Sequence, residues 1–237
     1  MQKVKYQRVV LKISGESFCR PNVGGIDVGV SGFIADEIKA AAQLGTQLAV
    51  VVGGGNIVRG KQFEKLGINI ATADYMGMVA TVVNALALQD ILEKKGAQTR
   101  LMTAIPMEAV AEPFIRRKCI RHLEKGRVVI LAAGTGNPHF TTDTAAALRS
   151  IEINAQALLK ATKVDGVYSA DPNINKSARK YTHLNYMQVI KSKLQVMDST
   201  AVTMCMETKI PVIVFNLKKK GNIVQAIRGD NVGTIIS

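Results

Sequence analysis

Lys12 stands between Leu11 and Ile13 and interrupts an apolar run that ends in Ser14-Gly15. A lysine ammonium is a mobile point charge, suited to the changing oxygens of a phosphoryl group in transit. A surface lysine following a strand is the plainer alternative. Three more turns of similar make-up follow short hydrophobic runs: Gly53-Gly54-Gly55-Asn56, Gly134-Thr135-Gly136-Asn137 and Thr162-Lys163-Val164-Asp165-Gly166. Glycine lets backbone approach a phosphate closely, and successive N–H groups there form an anion nest. Four such turns on one sheet suggest two phosphorylated ligands facing each other, the layout of a phosphotransfer enzyme. Neither common nucleotide signature is present. The glycine triplet lacks the Lys-Ser/Thr ending of a Walker A loop and the spacing of the dinucleotide fingerprint. By itself the triplet could be only a tight turn; recurrence at strand ends, where open α/β sheets bind ligands, favours a site.

These turns need a sheet to hold them. Hydrophobic patterning predicts strands over 9–13, 48–52, 99–102, 127–131, 157–159, 212–215 and 234–236, the last at a sheet edge. They alternate with helices predicted over 31–44, 76–92, 113–123, 143–151, 186–190, 199–206 and 222–227, with Ser31 as the first cap and Gly45 as a stop. The runs 48–52 and 127–131 are apolar without alternation, as expected for strands covered on both faces. The fold class is therefore α/β, a three-layer αβα sandwich with a mostly parallel central sheet. Helix 76–92 is apolar on more than one face, which suits the core, a subunit interface or both.

A chain of 237 residues buries a sizeable core as one domain or two closely joined lobes. The formal net charge of +13 favours anionic partners without saying which. The basic residues are dispersed, with the densest spots at Arg116-Arg117-Lys118 and Lys218-Lys219-Lys220. Aromatics make up only 5% and there is no Trp, so a stacking platform for nucleic acid is not obvious. Cys19, Cys119 and Cys205 have no metal-ligand spacing, nor have His122, His139 and His183, and a reduced cytosolic protein fits best. No signal peptide is evident, and no stretch reaches the roughly 20 apolar residues that span a bilayer.

The motifs as a set resemble those of the bacterial uridylate kinases, within the amino acid kinase superfamily. The matching segments are 11–16 (LKISGE), 53–56 (GGGN) with Arg59-Gly60, 74–78 (DYMGM), 134–143 (GTGNPHFTTD), 160–168 (KATKVDGVY), Asp171-Pro172 and Val196-Met197-Asp198. The resemblance covers essentially the whole chain and implies transfer of a phosphoryl group from ATP to UMP in pyrimidine nucleotide biosynthesis. It implies an acceptor lobe over about 1–155 and an ATP lobe over about 156–237. ATP would meet Lys12, Ile13, Ser14, Gly15, Gly55, Arg59, Thr162, Tyr168 and Asp171. UMP would meet Gly54, Asp74 and a wall formed by Thr135, Gly136, Asn137, Pro138, His139, Phe140, Thr141 and Thr142.

Asp74 would accept from the ribose hydroxyls, although it could also cap a helix starting at Tyr75 or Met76. Asp171-Pro172 also makes a good turn. Lys12, Arg59, Asp143 and Asp198 are the expected catalytic set; either acid could orient Lys12 or a metal-bound water, or cap the helix it precedes. No base is required, because the attacking phosphate is already ionised near pH 7. Mg2+ would arrive with ATP rather than sit in a protein cage. The resemblance further implies a hexamer built as a trimer of dimers, activation by GTP through Arg100 and Arg127, and inhibition by UTP. His139 departs from the family, which commonly has an apolar residue there, and 19–25 departs in detail. A sister kinase acting on a carboxylate such as acetylglutamate, and a nucleic-acid-binding regulator, are the rival readings; nucleic acid is not expected as the primary partner.

Overall fold

The structure is a computed structural model that describes residues 4–21, 23–58, 67–170, 174–175, 177–194 and 196–237. In chain order the strands are β1 (Arg8–Ile13), β2 (Gln47–Val52), β3 (Thr99–Thr103), β4 (Glu112–Pro113), β5 (Val128–Ala132), β6 (Ala157–Thr162), β7 (Val167–Tyr168), β8 (Lys180–Tyr181), β9 (His183–Leu184), β10 (Val212–Asn216) and β11 (Gly233–Ile236). The helices are α1 (Val28–Ala42), α2 (Ile70–Lys94), α3 (Arg116–Glu124), α4 (Thr142–Glu152), α5 (Tyr186–Lys191), α6 (Ser199–Thr208) and α7 (Asn222–Arg228). Nine strands form one sheet in the order β4-β3-β5-β2-β1-β6-β10-β11-β9, and β7 pairs with β8 apart from it. Among the described residues β10–β11 is the one antiparallel pairing of this sheet, so β11 and β9 run opposite to the other strands.

Alternation along β1 feeds two apolar layers. Val9, Leu11 and Ile13 face Ile34 of α1, Leu88 of α2 and Ile223 of α7. Val10 faces the other way, into the layer that holds Leu123 of α3, Ala146 of α4 and Val202 of α6. A side chain such as Leu11, with no exposed surface, would cost about 2–5 kcal/mol if cut back to alanine. From β1 the chain lays down β2, skips a place for β3 and β4, returns with β5 between β2 and β3, and then adds β6 on the other side of β1. β1 and β6 therefore flank the point where the strand order reverses, and a crevice opens beyond their carboxyl ends.

The strand and helix alternation of the sequence reading holds, with changes at the boundaries. α1 starts at Val28, and its cap is Asp27, which accepts from Val30 N; Ser31 is buried inside the first turn. α2 starts at Ile70 with Asn69 as its cap, so Asp74 lies inside the helix and does not begin one. Glu112–Pro113 pairs with β3, and α3 begins only at Arg116. β11 is not an edge strand: it lies between β10 and β9, and β9, with two residues, is too short to show a periodicity. By length and mean hydropathy α2 is long and apolar enough to cross a membrane, although no uninterrupted apolar run in it reaches roughly 20 residues. Its Asp74, Asn84 and Asp90, and the burial of Leu88 and Leu92 against the sheet, mark it as a core helix.

Candidate active site

The parallel register sets Lys12 of β1 beside Lys160 of β6. Both side chains project on the α4 face, and each residue is only 9% exposed. Like charges directly across a ladder repel, so this pair requires a counter-ion. Asp143, in the first turn of α4, supplies it. Its Oδ2 accepts a hydrogen bond from Lys160 Nζ at 2.6 Å, and its Oδ1 lies 3.0 Å from Lys12 Nζ. Burial pushes the Asp143 carboxyl up, but attraction to Lys12 and Lys160 outweighs it and holds the carboxyl below its ordinary range. Burial drives Lys160 the other way, below the ordinary lysine range, against the opposing pull of Asp143. Lys160 also donates to Val196 O. Lys12 meets Oδ1 without the alignment of a hydrogen bond, so that buried oxygen has a charge contact and no aligned donor. Lys160 is thus tied down twice, while the Lys12 ammonium keeps donors for a ligand. The sequence reading missed Lys160, although its break in the apolar run Ala157–Thr162 is the same signal that picked out Lys12.

Asp198 does not join the lysines directly. It caps α6 by accepting from Ala201 N at 2.9 Å, and it accepts from Thr141 Oγ1 at 2.5 Å and Thr144 Oγ1 at 3.0 Å. Thr141 in turn caps α4, accepting from Asp143 N and Thr144 N. Asp198 therefore stitches together the N-termini of two helices and sets the height at which Asp143 meets the lysines.

The glycines bring backbone to backbone. A side-chain carbon on Gly15 would lie 2.4 Å from Gly55 N, one on Gly53 would lie 2.7 Å from Gly15 N, and one on Gly54 would lie 2.7 Å from Gly77 O. The turn after β1 is thus nested into the turn after β2, which presses on α2. Asn56 and Asn84 exchange amide hydrogen bonds at 2.9 and 2.7 Å, and Asn84 Nδ2 also donates to Gly53 O. This buried amide pair was not foreseen; a lone Asn inside an apolar helix was its only signal.

The 135–142 segment leaves β5 and leads into α4. Asp74 of α2 reaches it: Oδ2 accepts from His139 N at 2.8 Å. Among the described residues no hydrogen bond engages Asp74 Oδ1. His139 takes the left-handed conformation (φ 71), and its side chain is 70% exposed, so its ring meets water. Phe140 is half-exposed. On the other side of β1, Thr162 closes its own turn with Val164. Tyr168 donates to Asp165 at 2.6 Å, and that bond raises its pKa. Thr162, Gly166, Tyr168, Leu194 and Val196 line a cleft of about 620 Å³. Arg59 and Asp171, expected here, lie outside the described residues.

Arg100 and Arg127 lie elsewhere, at the amino-terminal ends of β3 and β5. Arg100 Nε is 3.5 Å from Glu112, and Arg127 contacts His122 Nδ1 at 2.9 Å, whose Nε2 meets Glu112 at 3.2 Å. Both arginines therefore converge on one carboxylate, directly or through an imidazole.

The donor set fits magnesium that is carried by a triphosphate. Among the described residues no three His, Cys, Asp or Glu side chains gather to hold a metal. Asp198 accepts from two hydroxyls and one amide N–H, and Asp143 already serves two ammonium groups. Mg2+ keeps several waters and favours phosphate oxygens with one or two carboxylates.

Three solved structures are similar to this chain over nearly its full length. A UMP kinase from Bacillus anthracis is 39% identical with a TM-score of 0.96, covering 98% of this chain and 96% of that one. A UMP kinase from Ureaplasma parvum is 36% identical with a TM-score of 0.92, covering 98% of each chain. A uridylate kinase from Archaeoglobus fulgidus is 31% identical with a TM-score of 0.74, covering 97% of this chain and 99% of that one. The model of the amino acid kinase family matches residues 7–216, which take in both lysines and all four turns, and the chain belongs to that family.

Proposed function

We propose that this protein is a UMP kinase, a transferase of pyrimidine nucleotide biosynthesis that moves the γ-phosphoryl group of ATP to UMP. The observation that carries the reading is the pair of buried ammonium groups, Lys12 and Lys160, held by Asp143 at the reversal point of a sheet whose relatives are UMP kinases. An oxygen of the UMP phosphate attacks the γ-phosphorus, the bond to the β,γ-bridging oxygen breaks, and ADP leaves with that electron pair. No proton need move. The barrier falls because charge building on the transferring oxygens meets fixed positive charge.

In this reading Lys12 follows the γ-phosphoryl group, Lys160 supports it, and Asp143 keeps the two ammonium groups together and aimed. Ile13, Ser14, Gly15 and Gly55 cradle the ATP phosphates, and Arg59 pairs with phosphate oxygens. Thr162 and Tyr168 frame the nucleoside of ATP in the cleft beside β6, and Asp171 is assigned to ATP with them. Gly54, Asp74 and the wall 135–142 take UMP, with Asp74 Oδ1 turned to the ribose. Asp143 is the carboxylate that would hold a water of an ATP-borne Mg2+, whose charge would neutralise part of the triphosphate. The division into an acceptor lobe before about residue 155 and an ATP lobe after it follows from the same assignment, as do a cytoplasmic location, a hexamer, GTP activation through Arg100 and Arg127, and UTP inhibition.

A coupled ADP-release assay over UMP, CMP, dUMP and acetylglutamate tests the reading. ATP turnover that depends on UMP is expected, and preference for acetylglutamate would replace UMP as the acceptor.

A further inference from the structure

We propose that Arg149 and Thr81 are positioning residues for the acceptor wall. The inference rests on the assignment of residues 135–142 to the acceptor. The turn that starts the wall is built from backbone that side chains disfavour: φ is 61° at Ala133, 58° at Gly134 and 85° at Gly136. For the alanine this conformation is strained and persists only where its surroundings over-determine it. Two side chains do so, from opposite faces of the sheet.

Thr81 of α2 is buried. Its Oγ1 donates to Met78 O at 2.7 Å and accepts from Ala133 N at 2.7 Å, so one bond aims the lone pair that takes the other. Arg149 of α4 is 5% exposed, and its Nη2 donates to Gly134 O at 3.3 Å. The guanidinium is itself fixed: Nη1 donates to Glu152 at 2.5 Å, and its plane stacks 3.9 Å from the centroid of the Phe114 ring. A planar group can stack on its face while donating from its edge, which an ammonium cannot. Burying a charge costs free energy that an apolar side chain of like volume would not. The buried guanidinium therefore serves geometry. It holds Gly134 where the next residues, Thr135 to Asn137, can face the acceptor, and Thr81 holds Ala133 from behind.

The expectation is a defect confined to the acceptor half. Thr81→Val keeps the shape and removes the hydroxyl. Arg149→Met removes the donor and the charge, Arg149→Lys keeps the charge without the stacking plane, and Phe114→Leu removes only the ring beneath it. In Thr81→Val and Arg149→Met the KM for UMP should rise roughly tenfold, the worth of one lost hydrogen bond. The KM for ATP should stay within about twofold, with Arg149→Lys and Phe114→Leu intermediate. Hydrogen exchange of the peptide covering 134–140 should quicken in all four variants while the β1 peptide keeps its protection; this readout does not depend on which acceptor is used. Equal rises in both KM values, or unchanged exchange in 134–140 with only a lower Tm, would show that both residues serve general stability and would overturn the proposal. If Arg149→Met does not fold, Phe114→Leu and Thr81→Val decide it by the same two measurements.

Discussion

A single carboxylate determines whether two buried lysines can coexist. Asp143 touches both Lys12 and Lys160, and its substitution differs in kind from loss of either lysine. Lys12→Ala removes one charge from the transferring group and should cut turnover by about 100-fold or more with folding intact; near-normal kcat at saturating ATP and UMP would take Lys12 out of the chemistry. Asp143→Asn leaves two ammonium groups facing each other in a dry site. It should abolish most activity and destabilise the fold by about 3 kcal/mol at neutral pH, in the range for breaking a buried pair. The sign with pH follows from the direction of the shift. The folded Asp143 carboxyl titrates below its ordinary value of 3.8, so its stabilisation is complete above that value and is lost as pH falls through the folded one. The stability gap between wild type and Asp143→Asn should therefore be widest near pH 7 and should narrow below about pH 3.8, which urea unfolding at pH 7 and pH 3 would measure.

At the scale of elements, the site depends on how helix N-termini meet strand ends. Asp198 joins α4 to α6 through Thr141, Thr144 and its own cap bond to Ala201 N. Asp198→Ala should cost about 2 kcal/mol of stability, for a lost cap and a lost tie between helices. Turnover should fall far less than in Asp143→Asn, because Asp198 acts on Asp143 only through α4. Thermal unfolding beside kcat separates the two roles: a loss of activity as large as that of Asp143→Asn, with Tm unchanged, would move Asp198 into the chemistry. The glycine turns belong to this scale too. Gly15, Gly53 and Gly54 are needed because backbone lies where a side-chain carbon would be, and only then does the turn after β1 close over the turn after β2.

For the whole molecule, the surface of α2 is the conspicuous feature. Tyr75, Val79, Val83 and Leu86 are exposed large hydrophobics on one stripe of a helix whose other face is buried. The hexamer proposed above would bury this stripe, since exposed apolar patches commonly lie at association surfaces. Replacing Val79 and Val83 together with Glu should shift the protein toward smaller species in analytical ultracentrifugation while leaving its circular dichroism unchanged. Unaltered sedimentation would remove α2 from the assembly. The basic residues behind the net charge of +13 are dispersed along the chain. The run Lys218-Lys219-Lys220 lies in the turn into α7, where Gly221 N donates to the buried Glu37, so that run is anchored in a turn and is not a free basic arm.

The sequence by itself determined the alternation of strand and helix, the glycine turns at strand ends and the placement of the Lys12 charge within a strand, because each leaves a local mark: a periodicity, a turn residue or a charge inside an apolar run. Boundaries escaped it where a cap is set by geometry. Asp27 outranks Ser31, and Asn69 starts α2 six residues before the apolar pattern becomes legible. What only the tertiary structure decided are the partnerships. Lys160 and Asp143 are 17 residues apart in the chain, and Lys12 is far from both. They meet because β1 and β6 pair in register at the reversal of strand order and α4 begins above them. Thr81 and Arg149 come from helices on opposite faces of the sheet and meet at one turn for the same reason. A pattern read along the chain registers which face a residue turns to the core, whereas charge pairing and hydrogen bonding across elements depend on register and strand order, which a single sequence does not spell out.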